Sequence, residues 1–137
     1  QKKKKERVYD LLKDAAKFYI SNLRGDGAEK HVEYILKRKI SADSIAKFAI
    51  GASLDFNGLP NFLLKKGYTH DEMLSSGAVA ISPKGGYYDA LGGRLIIPII
   101  NQFNQVVAFG GRLLEKADFA KYKNTSETLV FSKTSTK

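Results

Sequence analysis

The 137-residue chain contains no cysteine, which excludes disulfides and thiolate zinc sites from this segment and leaves its redox compartment open. Its two histidines, His31 and His70, have no partner at metal-ligand spacing. Both sit in polar helical stretches and read as ordinary exposed or half-buried side chains. No Asp-x-Asp or Glu-Gly-x-x-Asp cluster is present to hold magnesium. Asp10 with Asp14, and Asp26 with Glu29, share helical faces among lysines and read as surface ion pairs. Serines and histidines are not arranged for nucleophilic catalysis. The longest apolar run, Leu95–Ile100, is far too short for a bilayer span. The opening Gln1-Lys2-Lys3-Lys4-Lys5 has no apolar stretch and does not read as a signal peptide. The first residue is not Met and the last four are polar, so the chain is expected to be a piece of a longer protein.

Cations are what the chain has in excess. A net charge of +9 points to an anionic partner. Residues 1–39 carry 12 Lys/Arg against 6 Asp/Glu, residues 112–137 carry 6 against 3, and the middle is balanced at 5 against 5. The excess therefore sits at the two ends. Lys2–Lys5 are read as a solvated helix end. Hydrophobic content of 43% suits a globular domain of this length.

The first half has helical periodicity. Val8, Leu11, Leu12, Ala15, Ala16, Phe18, Tyr19 and Leu23 recur at threes and fours and predict one buried stripe, ended by Gly25 and Gly27. A second helix is expected over 28–38 with Val32, Ile35 and Leu36 inward. A third, over 42–48, would be capped by Ser41 and terminated by Gly51. Pro60 suits the first turn of a short helix over 58–66, stopped by Gly67. Thr69 and Glu72 form a capping box ahead of another. The period then shortens. Residues 78–82, 94–100 and 105–109 read as strands, the last two joined as a hairpin through Asn101–Asn104. Pro98 implies an edge or a bulge. The fold class expected is α+β, N-terminal helices followed by a small, mainly antiparallel sheet, with residues 1–137 as one domain.

The stretch Phe109–Lys133 holds the candidate site. A Phe109-Gly110-Gly111-Arg112 turn leads into Lys121-Tyr122-Lys123-Asn124-Thr125-Ser126-Glu127-Thr128 and then Phe131-Ser132-Lys133. Glycines let a backbone approach a ligand closely, and Arg112, Lys121 and Lys133 bring charge to phosphate. The glycine pair lacks the further glycines and Lys-Ser/Thr of a Walker loop. Tyr122 could stack on a base or hydrogen-bond a phosphate, and Asn124 could donate to a sugar or phosphate or close a turn.

In order and spacing these residues resemble the N-terminal part of the catalytic core of bacterial DnaG-type DNA primases, the piece preceding their TOPRIM subdomain. The matching motifs run over nearly the whole chain. They are Phe18–Leu23, Tyr34–Ser41 with Arg38, Ile45–Gly51, Tyr88-Asp89 leading to Arg94 and Pro98-Ile99, Phe109–Arg112 and Lys121–Thr128. The resemblance implies an enzyme that makes short RNA primers on single-stranded DNA, a nucleotidyltransferase of the bacterial cytoplasm acting at the replication fork. It implies Mg²⁺ or Mn²⁺ on TOPRIM carboxylates, Zn²⁺ in a separate zinc-binding domain, and a replicative helicase bound through a C-terminal domain, none of them within these residues. Arg38, Arg112, Lys121, Tyr122, Asn124 and Lys133 would then contact the ribonucleoside triphosphate's phosphates and the primer–template strand, neutralising charge that moves toward departing pyrophosphate. No catalytic residue and no metal ligand is assigned here, so the isolated segment is expected to be inactive. Two departures stand out. Ala90-Leu91-Gly92-Gly93 occupies the place of the family's Arg-Phe-Arg-x, removing two positive charges, and Thr125-Ser126 replaces Ser-Pro. The alternative reading is a non-catalytic basic nucleic-acid-binding module of a mobile-element replication protein. Another is a scaffold whose lysines are solvated surface.

Overall fold

The computed structural model describes residues 2–114 and 122–131. In chain order the elements are α1 (Lys2–Arg24), α2 (Glu29–Lys37), α3 (Ala42–Lys47), β1 (Gly51–Ala52), α4 (Gly58–Lys65), α5 (His70–Ser76), β2 (Val79–Ile81), β3 (Tyr87–Asp89), β4 (Leu95–Ile100), β5 (Val106–Arg112) and β6 (Tyr122–Asn124). This is an α+β fold. Strands β1-β4-β5-β6 form one antiparallel sheet, and β2 and β3 form a separate antiparallel pair.

The α1 stripe is buried as its spacing requires. Val8, Leu11, Leu12, Ala15 and Tyr19 are enclosed with Leu59 and Leu63 of α4, Met73 of α5, Val79, Leu91, and Ile96 and Phe109 of the sheet. Each such aliphatic side chain withdrawn from water contributes about 1.5–3 kcal/mol. Tyr19 meets Phe109 edge-on with centroids 5.2 Å apart, which fixes α1 across the sheet. Alternation along β4 sends neighbouring residues to opposite faces. Ile96 joins this core, while Leu95 packs with Ile35 and Ile50 in a second cluster under α2 and α3. The candidate site lies on that second face.

Helix termini follow local chemistry. Ser41 accepts from Ser44 N at the start of α3. At α5, Thr69 accepts from Glu72 N while Glu72 accepts from Thr69 N, the reciprocal box expected. Glu72 also accepts from Arg7 Nε at 2.8 Å and Nη2 at 3.0 Å, tying α1 to α5. This pairing holds the Glu72 carboxyl down to about 2. Gly77 closes α5 in the left-handed conformation (φ 80°). Pro98 has both features its presence implied. β1 reaches only to Gly51 opposite Ile96, so β4 is paired on one side at Pro98, and the register with β5 shifts between Ile99 and Ile100.

Several expectations are corrected. Val32 and Leu36 do not point inward. Leu36 is 71% exposed, and the buried side of α2 is His31 and Ile35, one turn apart. Gly51 does not terminate α3, which ends at Lys47, is capped at Phe48 and turns through Ala49 at φ 52°. Gly51 lies in β1 because α1 crosses there. A Cβ on it would come within 2.5–2.7 Å of Tyr19 carbonyl carbon, Cβ and carbonyl oxygen. Asp14 takes a hydrogen bond from Tyr68 Oη at 2.6 Å. Among the described residues no helix is long and apolar enough to cross a membrane.

The Gly51 contact is with backbone, which cannot rotate away. Gly51→Ala should lower unfolding free energy by on the order of 3 kcal/mol, read as a lower denaturant midpoint. A midpoint unchanged from the parent would mean that α1 does not press on β1.

Candidate nucleic-acid interface

Strand pairing gathers the expected residues. Arg112 of β5 lies opposite Tyr122 of β6 and Leu95 of β4, and Gly110 lies opposite Asn124 and Ile97. With a period of two, Leu95, Ile97, Gly110, Arg112, Tyr122 and Asn124 share the sheet face turned from α1. The Phe109–Arg112 segment is therefore extended strand and not a turn, and Asn124 pairs within β6 instead of closing a turn.

The two glycines let β5 be covered closely on both sides. A Cβ on Gly110 would overlap the phenol of Tyr122, which lies across it, and one on Gly111 would come within 2.8 Å of Arg94 Cδ. Arg94, buried, donates through Nη1 to Gly111 O at 3.2 Å. Tyr122 keeps 46% of its surface exposed. Asn124 Oδ1 is buried without a hydrogen-bond partner among the described residues. Thr125 closes the strand, donating N to Phe109 O and accepting Phe109 N at Oγ1.

Arg38 arrives from the end of α2. Lys39, in the left-handed region (φ 56°), turns the chain back so that Ile40 N bonds Ile35 O. The Arg38 guanidinium sits 5.1 Å over the Tyr34 ring. Tyr34, Arg38, Ile40, Ile50, Leu95, Ile97 and Arg112 line a concavity of about 240 Å³. Two exposed arginines thus line a concavity with an apolar floor, and each offers a phosphate a fork of donors. The hollow is smaller than an enclosing small-molecule site. It suits part of a strand or nucleotide. Lys121 and Lys133 lie outside the described residues. Among those described, no group of three or more His, Cys, Asp or Glu could hold a metal ion. The described side chains therefore do not form a site for the magnesium or manganese that the resemblance implies.

Sequence reasoning missed the polar centre beneath this face. Asp89 is 1% exposed and accepts from Tyr19 Oη at 3.0 Å, Ser53 Oγ at 2.7 Å and Leu91 N at 2.8 Å. Ser53 Oγ accepts from Gly93 N, and Ser53 O accepts from His31 Nε2 at 3.0 Å. His31 is consequently buried, at 4% exposure, and not exposed or half-buried as expected; its Nδ1 has no partner among the described residues. Burial lowers its proton affinity. His70 remains exposed and stacks on Tyr87. Burial outweighs the three donors at Asp89 and pushes its carboxyl up to about 6. The signal for this cluster was Tyr88-Asp89 ahead of a glycine turn, which spacing alone does not connect to Tyr19.

Comparison with known proteins agrees with this architecture. The family model described as DNA primase catalytic core, N-terminal domain, matches residues 18–136. The DNA primase of Clostridium acetobutylicum is 33% identical over 133 residues, covering 96% of this chain and 22% of that protein. The RNA polymerase domain of Mycobacterium tuberculosis primase DnaG, solved with a double-stranded DNA oligomer bearing a 6-nucleotide overhang, superposes with a TM-score of 0.86 at 32% identity. That match covers 96% of this chain and 41% of that one. A DnaG primase catalytic domain bound to single-stranded DNA gives 0.85 at 28% identity, covering 96% and 43%. The class is the α+β catalytic core of DnaG-type primases. Within it, this chain belongs to the family of the core's N-terminal domain. It spans about a fifth of the length of the curated relatives it matches.

The raised Asp89 pKa has a definite sign. The folded state binds this proton more tightly than the unfolded chain, whose carboxyl titrates near 3.8, so the group adds stability as pH falls from about 6 to about 4. Neighbouring His31 works the other way, since burial disfavours its charging. Comparing parent with Asp89→Asn isolates the carboxyl. From pH 7 to pH 4 the difference in unfolding free energy should move toward the parent by on the order of 3 kcal/mol. A pH-independent difference would refute the assignment.

Proposed function

We propose that this chain, as part of a longer primase, supplies the basic wall that holds nucleotide phosphates and template while short RNA primers are made on single-stranded DNA. The observation that carries the reading is the common sheet face of Arg112, Tyr122 and Asn124, with Arg38 lining the same concavity as Arg112. Residues 1–137 are taken as one domain, and Lys121 and Lys133 as further phosphate contacts on the same wall. The relatives are named DNA primase, and three of the similar structures hold DNA.

Each residue type fits its part. A strand and a helix end bring the two guanidinium groups to one concavity, where they could neutralise a triphosphate. Tyr122 offers a ring to a base, and contacts to a template backbone need charge more than sequence preference. Asn124 shares this face with Tyr122 and could donate its side-chain amide to a sugar or phosphate. Magnesium or manganese would reside on TOPRIM carboxylates of the intact protein and supply the activation of the attacking and leaving oxygens. Zinc would belong to its separate domain. Ribonucleoside triphosphates, the RNA primer and a replicative helicase are the partners this reading requires. A mobile-element binding module would share the wall but lack the facing carboxylates.

In the intact enzyme, Arg112→Ala and Lys121→Ala should each lower primer synthesis by on the order of a hundredfold, with unfolding free energy within about 0.5 kcal/mol of the parent. A stability loss matching that of a core truncation would instead make these side chains structural. The isolated 137 residues should bind single-stranded DNA weakly, more weakly still as salt rises, and make no primer. Templated synthesis by that piece alone would overturn the division of labour.

A further inference from the structure

Arg38 and Arg112 line one hollow, and no acidic side chain lines it with them. Like charges brought together repel. Among the described residues neither arginine makes an ion pair or a side-chain hydrogen bond. Glu33, adjacent to Tyr34 in sequence, lies toward another side of α2, where it lines a separate hollow with Val32 and Leu36. What Arg38 does meet is an aromatic ring.

Tyr34 and Arg38 stand one turn apart at the end of α2, where Arg38 N donates to Tyr34 O at 3.0 Å. Side chains four residues apart share a helix face. The Tyr34 side chain is half-buried and packs against Ile35, Ile50 and Leu95, which anchors it in the second core cluster. Arg38 is exposed, and its guanidinium carbon lies 5.1 Å from the centroid of the Tyr34 ring. A cation is attracted to an aromatic face out to about 6 Å. Tyr34 Oη makes no hydrogen bond among the described residues.

The kind of contact matters for what Arg38 can still do. A carboxylate would take the forked edge of the guanidinium and cancel its charge. A ring engages the flat face instead and leaves the in-plane N–H donors to an incoming acceptor. Without the ring, the side chain could fold back on the carbonyls that end α2, since Arg38 is the C-cap.

We propose that Tyr34 is a positioning residue for phosphate capture, carrying Arg38 on its ring so that the guanidinium edge serves the hollow shared with Arg112. Tyr34 acts through Arg38 and not on the reacting atoms. A ring anchored in the core restricts an otherwise free side chain, which removes part of the entropy lost when ligand orders it. The negative face of the ring also offsets part of the repulsion between the two arginines. The inference rests on the phosphate-holding role given to Arg38 above and adds the residue on which that role depends.

The test measures kcat/KM for ribonucleoside triphosphates in primer synthesis by the intact primase on a single-stranded template. Tyr34→Leu keeps an apolar side chain on the cluster but removes the ring, and should lower kcat/KM by roughly two- to fivefold. Tyr34→Phe, which keeps the ring without the hydroxyl, should recover the parent value. Arg38→Ala should lower kcat/KM by on the order of tenfold or more, and adding Tyr34→Leu to it should cost nothing further. An equal loss from Tyr34→Leu with and without Arg38 would mean that the ring acts through the fold or directly on the ligand, and overturns the proposal. A Tyr34→Phe variant as impaired as Tyr34→Leu also overturns it, as does parent-like synthesis by Tyr34→Leu while Arg38→Ala is impaired. Those outcomes leave the proposed function standing. Parent-like synthesis by Arg38→Ala instead overturns the phosphate-holding role of Arg38 itself, and this inference with it.

Discussion

The buried carboxylate of Asp89 joins parts of the chain that lie far apart in sequence. Through one side chain it connects α1 by Tyr19, the segment after β1 by Ser53, and its own turn by Leu91 N. Ser53 then connects to His31 of α2 and to Gly93. A charge in this setting is costly unless donors surround it. The donors come from distant segments, so the network is complete only when α1, α2 and the turn are all docked. Hydrophobic burial supplies the larger stabilisation, but it is not directional. The carboxylate adds direction, setting where α1 lies along the sheet and how the turn leaves β3.

That placement governs both exposed faces. Tyr19 reaches Asp89 with its hydroxyl while its ring meets Phe109 and its backbone crowds Gly51. The α1 side of the sheet is thereby closed, and the residues alternating with Phe109 and Ile96 are left on the other side. There the cover is partial. Ile35, Ile50 and Leu95 make a small cluster under α2 and α3, and beyond it Arg38, Arg112 and Tyr122 meet solvent. The basic face is open because the helices that could cover it are short and packed at one end.

Much of this was legible in the sequence because it depends on local period and terminus chemistry. The α1 stripe, the Thr69–Glu72 box and the hairpin through Asn101 rest on residues within a few positions of one another. What escaped depends on partners far along the chain. His31 looked like a polar-face histidine because its acceptor is the carbonyl of Ser53. Leu36 looked like a core residue because its spacing from Val32 suits a buried stripe. Nothing nearby reveals that α2 turns His31 and Ile35 inward instead. The Gly110-Gly111 pair looked like a turn because glycine is more frequent there than in strands. It is extended because Tyr122 and Arg94 press on it from either side. The candidate site was legible as a set of residue types. Its geometry, with Arg112, Tyr122 and Asn124 on one face, required the pairing of β5 with β6.

Strands, more than loops, carry these side chains, and this bears on what the wall can do. Pairing on both sides fixes the backbone from which Arg112 projects, and Tyr122 is seated over Gly110, so the places these side chains start from are set by the sheet. Preorganisation of this kind favours rate over affinity: exposed cations in water give modest binding free energy, yet they contribute strongly once a second wall excludes solvent. A surface of this design is poor as an independent binder and effective as half of a cleft. The shallow 240 Å³ hollow between Arg38 and Arg112 fits that account, since a site meant to enclose a nucleotide alone would be deeper.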